Sequence, residues 1–338
     1  ADIWASSRSV KEKEVLAAKG FSDLEDPESE HVLGIDGLAI VVNPRNNVTQ
    51  LSKEQLGLIY SGQVTNWSEL GGPDMTISLF ARDENSGTWD SFKNMVLGKQ
   101  FQLSGSAQRF ESSENLVRNV LQNEGGIGFI GMAFVGKSKL LAISDGPAQA
   151  FKPSQLTVAT EDYALSRRLF FYTHGQPSNE YVTEFMRFAQ GINGQSIVRN
   201  EGFISQNVES MDASLADDMP ADYVEMVKGA KRLSVNFRFQ EGSAQLDNKA
   251  LKDIQRLAFY MREQMPNSKL LLIGFGDKRK NEHRSKLLSK LRAMAVKREL
   301  SRLGIYPQKT TGYGDFNPVA SFEGASKIKN RRVEVWLR

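Results

Sequence analysis

The chain has 338 residues, 40% of them apolar and 25% charged. That is the composition of an ordinary globular protein of two domains, at about 100–200 residues each. Cysteine is absent, which excludes disulfides, thiolate nucleophiles and thiolate-held zinc. His31, His174 and His283 lie far apart and form no HExxH pair, and no apolar run approaches the ~20 residues of a membrane-spanning helix.

The net charge of +3 conceals opposed regions. Residues 1–205 carry 18 basic and 24 acidic side chains, a net −6. Residues 206–230 are at −5 and residues 231–338 at +14. Such asymmetry predicts two domains with different partners. The basic region points to an anionic polymer, and equally fits a solvated basic surface. The acidic stretch Gln206–Ala230, with Pro220 in its middle, reads as a linker whose end, ADYVEMVKGA, suits a short helix.

In the first region, strand-like and helix-like runs alternate, which predicts an α/β domain. Gly37–Asn43 reads as a buried strand. The run from Ser52 to Tyr60 is amphipathic, with Ser52 and Gln55 spaced as a capping box. The run 76–80 is a second strand. In ARDENSGTWDSFKNMVLG, Trp89, Phe92 and Val96 fall at helical spacing and Gly98 suits the stop. Ser86-Gly87-Thr88 therefore stands where a loop turns into a helix N-terminus. Unpaired N–H groups there attract anions, Ser86 and Thr88 add hydroxyl donors, and Gly87 admits close approach. Arg82 offers a planar fork of donors to an oxyanion, with Glu84 placed to hold it. The same residues also fit a plain helix cap beside a surface arginine. Two glycine patterns follow. Gly126–Gly131 fits the dinucleotide fingerprint and Gly131–Ser138 the P-loop. Neither has the required strand before it and helix after it, so both read as glycines for tight packing.

Taken in order, ADIWASSR, DGLAIVVNP, LSKEQLGLIYSGQVTNWSELGG, ARDENSGTWDSF, GGIGFIGMAF, YALSRRLFFYT and GQSIVRNEGFI resemble the phosphate-binding protein of phosphate ABC importers, the PstS type. The resemblance covers nearly all of residues 1–205. It implies a type II periplasmic binding fold, two α/β lobes (lobe I about 1–40 and 172–205, lobe II about 41–171) closing on an oxyanion. The hinge is expected near Leu38–Asn43 and near Leu169–Thr173. The resemblance gives Arg82, Ser86, Gly87 and Thr88 to the second lobe's side of the site and Ser7 to the first. Two departures accompany it. The family's leading strand, Ser-rich phosphate loop and helix are expected ahead of the ADI segment, so the chain reads as N-terminally truncated. Some relatives have Asp where Ser7 stands. A carboxylate selects protonated phosphate over sulfate, and a hydroxyl does so less strongly.

Residues 231–338 read as βαβαββ. Strands are expected at 233–239, 269–275 and 332–337. Helices are expected at 248–265, with Ile254, Leu257 and Met261 inward, and at 282–303, with Leu287, Leu291, Met294 and Arg298 as its spaced face and Gly304 as its stop. Asp277, just past a strand, and Arg292, in the next helix, suit a grip on a zwitterion or an ordinary ion pair. The basic run KIKNRR has no interleaved aromatics, which argues against nucleic acid. The segments EGSAQLD, GFGD, LLSKLRAMAV, GYGDFNPVAS and KNRRVEVWL resemble the OmpA-like domain that anchors envelope proteins to peptidoglycan. The resemblance implies that Asp277 takes the ammonium of a diaminopimelate side chain and Arg292 its carboxylate, with Asn330 and Arg331 at the same site. It departs at Ser285, where the pattern has Asn, and at Lys280, where Gly is usual.

Together these features predict a periplasmic, cell-wall-associated protein of the Gram-negative envelope. Residues 1–205 bind phosphate or a related oxyanion, 206–230 link, and 231–338 bind peptidoglycan. An ABC permease is an implied partner. No cofactor or metal is expected, and no enzyme, since G-x-S-x-G and any nucleophile–base set are missing. The rival reading is a structural or adhesive envelope protein that uses the binding fold without an anion.

Overall fold

The computed structural model describes every residue except Ala1, Gln176, Asp217, residues 240–242 and Lys280. The first residue of ADIWASSR, the Glu241-Gly242 start of EGSAQLD and the Lys280 departure thus lie outside the described residues.

The first domain runs β1 (Ile3–Ser6), α1 (Glu12–Ala18), β2 (Glu30–Val42), β3 (Gln50–Ser52), α2 (Lys53–Tyr60), β4 (Ser78–Arg82), α3 (Gly87–Phe92), β5 (Gln108–Phe110), α4 (Ser113–Gln122), β6 (Gly126–Gly131), β7 (Lys139–Leu140), β8 (Ala142–Ser144), α5 (Gln155–Ala159), β9 (Ser166–Thr173), α6 (Glu180–Gln190) and α7 (Ile192–Asn200). The main sheet has the order β1-β9-β2-β6-β4-β5, with β7 also on β2.

β2 creates the two lobes. Its residues Glu30–Gly37 pair with β9, and Leu38–Val42 pair with β6. The partner changes at Gly37–Leu38, opposite Ser166. One strand therefore serves both lobes, and the bend between them falls where the sequence reads GIDGLAIVV. Lobe II closes over Trp67, Tyr60, Phe92 and Phe129, all fully buried. Phe92 and Phe129 stack at 4.0 Å and Tyr60 meets Phe92 edge-on at 4.7 Å. Each such side chain stabilises the lobe by roughly 1.5–3 kcal/mol on burial. The capping box opens α2: the N–H of Gln55 donates to Ser52 Oγ at 3.0 Å, and that of Ser52 to Gln55 Oε1 at 2.8 Å. The Gly126–Gly131 run is itself a strand, which is incompatible with a phosphate loop.

The second domain runs β10 (Ser210–Met211), α8 (Ala221–Val227), β11 (Lys231–Arg238), α9 (Asn248–Glu263), β12 (Leu270–Gly274), α10 (Glu282–Arg302), β13 (Lys309–Gly312) and β14 (Arg332–Leu337), with sheet order β10-β11-β14-β12-β13. The helices α9 and α10 cover one face. On the other, Leu271, Ile273 and Trp336 point away from them and are covered by Tyr223, Met226 and Val227 of α8. The acidic stretch 206–230 thus contributes an edge strand and a covering helix to the second domain.

The spaced row of α10 faces outward. Leu287, Leu291 and Met294 are 57%, 44% and 49% exposed, and Arg298 is exposed too. The buried face is Ser285, Ser289, Ala293, Val296 and Leu300. Both sets have helical spacing, on opposite sides. Glycines decide between them. Gly274 and Gly312 lie directly against the backbone at Ser289 and Lys290, where any Cβ would collide. At Ser289 the helix rests so close to the sheet that only a small side chain fits beneath it.

Candidate functional site

The first candidate site lies where the lobes face each other. Ser86 caps α3, its Oγ accepting from the Thr88 N–H at 3.2 Å. Ser7 follows β1, which β9 holds in register. Ser7 Oγ lies 3.2 Å from where a Cβ on Gly87 would stand, so a side chain at residue 87 would press on Ser7. Ser7 and Gly87 are thus brought together, with Thr88 next in the turn. Ser86 lies at the start of the same turn.

Arg82 sits at the end of β4. Its Nε donates to Phe110 O (3.2 Å), Nη1 to Ser113 Oγ (2.7 Å) and Nη2 to Glu111 O (2.6 Å). Among the described residues, none of these bonds reaches Ser7 or the 86–88 turn. A guanidinium has five N–H groups, so one remains on each terminal nitrogen. Glu84 does not hold Arg82 as expected; it pairs with Arg109 at 3.2 Å, and the Arg109 guanidinium lies over Trp89.

A second guanidinium, that of Arg167 of β9, hydrogen-bonds the 86–91 segment. Its Nη1 donates to Gly87 O (2.5 Å) and Ser91 Oγ (2.7 Å), while Nε and Nη2 donate to Asp36 Oδ2 (3.0 and 2.6 Å). Asp36 is only 3% exposed. Burial raises its pKa, opposed by the charge and hydrogen bonds of Arg167. The pair was not foreseen. The available signals were an acid inside the apolar run GIDGLAIVV and a doubled arginine inside a strand. A cavity of about 240 Å³ opens beside it, lined by Ser7, Arg8, Ser9, Ser91 and Arg167 among others.

The second candidate site lies in the second domain. Asp277 Oδ2 accepts from Arg331 Nε at 2.6 Å. Asp277 Oδ1 and Arg331 Nη1 are buried without a hydrogen-bond partner. Arg292 is 7% exposed. Burial lowers its pKa, and the charge of Asp277 opposes that shift. The expected pair therefore stands within electrostatic reach, with Arg331 as the carboxylate's bonded partner. Asn330 is fully buried. Its Oδ1 accepts from the N–H groups of Val319 and Ala320, and its Nδ2 donates to Ala320 O and Ser321 O. Its amide shapes the neighbouring loop. Ser285, where the pattern has Asn, donates to Asp277 O at 3.0 Å and holds the loop that follows β12 on α10. Among the described residues there is no group of three metal-ligating side chains and no helix long and apolar enough to cross a membrane.

Comparison with known proteins matches two separate stretches of the chain. Residues 1–191 match the PBP superfamily domain and residues 238–332 the OmpA family. A phosphate-binding protein PstS from Borreliella burgdorferi is 27% identical over 188 residues, 54% of this chain and 67% of the relative. One from Staphylococcus aureus is 29% identical over 229 residues, 65% of this chain and 68% of the relative. Among solved structures, an ABC-type phosphate transport receptor from Vibrio cholerae superposes with a TM-score of 0.52 at 31% identity, covering 60% of this chain and 80% of the receptor. A possible phosphate-binding protein from Planctomyces limnophilus gives 0.52 at 32% identity, covering 60% of this chain and 75% of that one.

Proposed function

The chain belongs to the PBP superfamily and carries an OmpA-family domain behind it, and from that premise we propose that it is a periplasmic phosphate-binding protein held non-covalently to peptidoglycan. It acts by binding rather than catalysis. The observation that supports the reading is the pairing of two candidate sites in one chain: Ser7 facing the Gly87 turn, and an acid–arginine cluster with unpaired buried atoms in the anchor domain.

In the cleft, the Ser86–Thr88 turn offers N–H and hydroxyl donors. Arg82 offers its two remaining N–H groups, and Ser7 closes from the first lobe. Neutral donors plus one guanidinium suit a dehydrated oxyanion. In the anchor, Asp277 Oδ1 is the atom for the diaminopimelate ammonium. Arg292 and Arg331 Nη1 are the donors for its carboxylate. The use implied for captured phosphate is delivery to an ABC permease or sensing.

Calorimetry with phosphate, and sulfate as the control, tests the first site. Saturable, phosphate-selective heat that falls on Arg82→Ala is expected. No heat with either anion from a folded sample would sink the phosphate reading. One observation favours the rival, an envelope protein that uses the fold without an anion. Arg82 is tied to the Phe110–Ser113 loop, and Arg167 already joins the hinge strand to the ligand turn. Sedimentation with purified sacculi tests the anchor independently of either outcome.

A further inference from the structure

The outward face of α10 has no counterpart in either site. Leu287, Leu291 and Met294 form one exposed row at i, i+4 and i+7. Lys286, Lys290 and Lys297 run along one side of that row, and Arg284, Arg298 and Arg302 along the other. Arg298 and Arg302 share Glu299. Among the described residues, Arg284, Lys286, Lys290 and Lys297 have no carboxylate partner. On one flank a groove of about 370 Å³ runs between α10 and the open edge strand β13, lined by Lys290, Met294, Lys297, Arg298, Ser301 and Thr310. Thr310 Oγ1 is buried there without a hydrogen-bond partner.

We propose that this face docks the protein on an anionic phospholipid surface. Charge complementarity names the sign of the partner, and the apolar row names its kind. A glycan strand offers nothing for three outward apolar side chains, whereas a bilayer interface takes an apolar ridge between two cationic rows. The ridge is convex, so it suits a surface that deforms around it. The groove beside it places three cations, Lys290, Lys297 and Arg298, where a headgroup phosphodiester would lie. Each basic side chain near an anionic leaflet strengthens adsorption by roughly fivefold. Three apolar residues add a shallow insertion, so the attachment is reversible and salt-sensitive.

The test uses the whole chain and vesicles of phosphatidylglycerol mixed with phosphatidylcholine, against vesicles of phosphatidylcholine alone. Binding to the anionic vesicles is expected, weakened at least about tenfold on neutral ones and by raised salt. Replacing the ridge (Leu287→Asn, Leu291→Asn and Met294→Gln together) is expected to weaken it about tenfold or more. These side chains are exposed, so circular dichroism and the unfolding midpoint stay unchanged and a folding defect is not an explanation. Lys290→Glu with Lys297→Glu has the same effect. Failure to bind anionic vesicles overturns the proposal. So does binding indifferent to the ridge variant, which is a plain electrostatic film. Complete displacement by millimolar inorganic phosphate identifies a free-anion site instead. Displacement by an acidic polypeptide that itself binds the ridge identifies a protein partner.

Discussion

Replacing Arg167 by Ala is the sharpest perturbation of the first domain. The guanidinium holds Asp36 through two bonds to Oδ2 and reaches Gly87 O and Ser91 Oγ. Its loss strands a carboxylate that is 3% exposed. Removing one partner of a buried ion pair costs about 3–5 kcal/mol. Gly87 O keeps a donor, because Ser91 Oγ also bonds to it at 2.9 Å, so little more is lost there. Against a typical domain stability of ~5–15 kcal/mol, the lobes should loosen visibly. Urea unfolding followed by the fluorescence of buried Trp67 and Trp89 reads the loss as a lower midpoint at unchanged slope. Arg167→Lys should not rescue, because an ammonium cannot span Asp36 and Gly87 as a planar fork does. The double variant Asp36→Ala/Arg167→Ala should cost less than the sum of the single ones, because no charge is left buried alone. A single-variant loss below about 1 kcal/mol, or additive losses, would refute the claim that this pair ties the lobes together.

Three further outcomes are expected. Asp277→Ala or Arg292→Ala should release the chain from purified sacculi; cosedimentation equal to the unmodified chain would remove these residues from the anchor site. Gly274→Ala, which sets a methyl group against Ser289 O, should destabilise the second domain by ~1–3 kcal/mol. Leu287→Asn on the far side of the same helix should change stability by less than about 0.5 kcal/mol, and equal effects in denaturation would contradict the assigned helix face. Stability should also fall on acidification through His31. Burial first, and then the charge of Lys252, lower its pKa from 6.5 to about 4. Lys252 Nζ bonds its Nδ1 at 2.9 Å, and Thr173 Oγ1 meets its Nε2 at 3.0 Å. Lys252 also faces Glu30 and Arg256. The unfolded chain takes up the proton first, so stability present above pH 6.5 is lost as pH falls towards 4. His31→Gln should flatten that window, and an unchanged pH profile of the unfolding midpoint would count against it.

Local chemistry was legible wherever the deciding partner lies nearby in the chain. The Ser52–Gln55 box, the turn at Ser86–Thr88 and the buried runs of β2 and β12 needed only spacing and side-chain type. What covers a surface was not legible. In LSVNFRF the alternation assigns faces, yet nothing local says that Asn236 and Arg238 meet Thr160 and Asp162 of the other domain instead of water. On α10 two stripes compete at the same period, and the choice depends on glycines in β12 and β13, distant in sequence. Arg167 was hidden for the same reason: its partners Asp36 and Gly87 are 131 and 80 residues away. Arg82 was found by its motif, while its three bonds to the Phe110–Ser113 loop were not.

The two arginines of β9 explain why the cleft and the anchor meet so closely. Successive strand residues point to opposite faces, so Arg167 enters the cleft while Arg168 turns to the second domain. Arg168 holds Glu161 of its own domain and, across the boundary, Asp247 at the start of α9 at 2.8 Å. Lys329, beside Asn330 and Arg331, donates to Tyr163 O, Ala164 O and Ser166 Oγ at 3.0–3.2 Å. Ser166 in turn lies opposite the point where β2 passes from one lobe to the other. Separating the domains would take Asp247 from Arg168, which keeps Glu161, and would leave Arg238 and Lys329 without their first-domain partners and Asp162 without its arginines. Losing such partners one at a time is costly, several kcal/mol for each buried charge, so the interface opens as a unit. The strand that carries the bend of the binding fold is thus the one gripped by the anchor, and the direction in which the cleft faces is set by where the second domain sits.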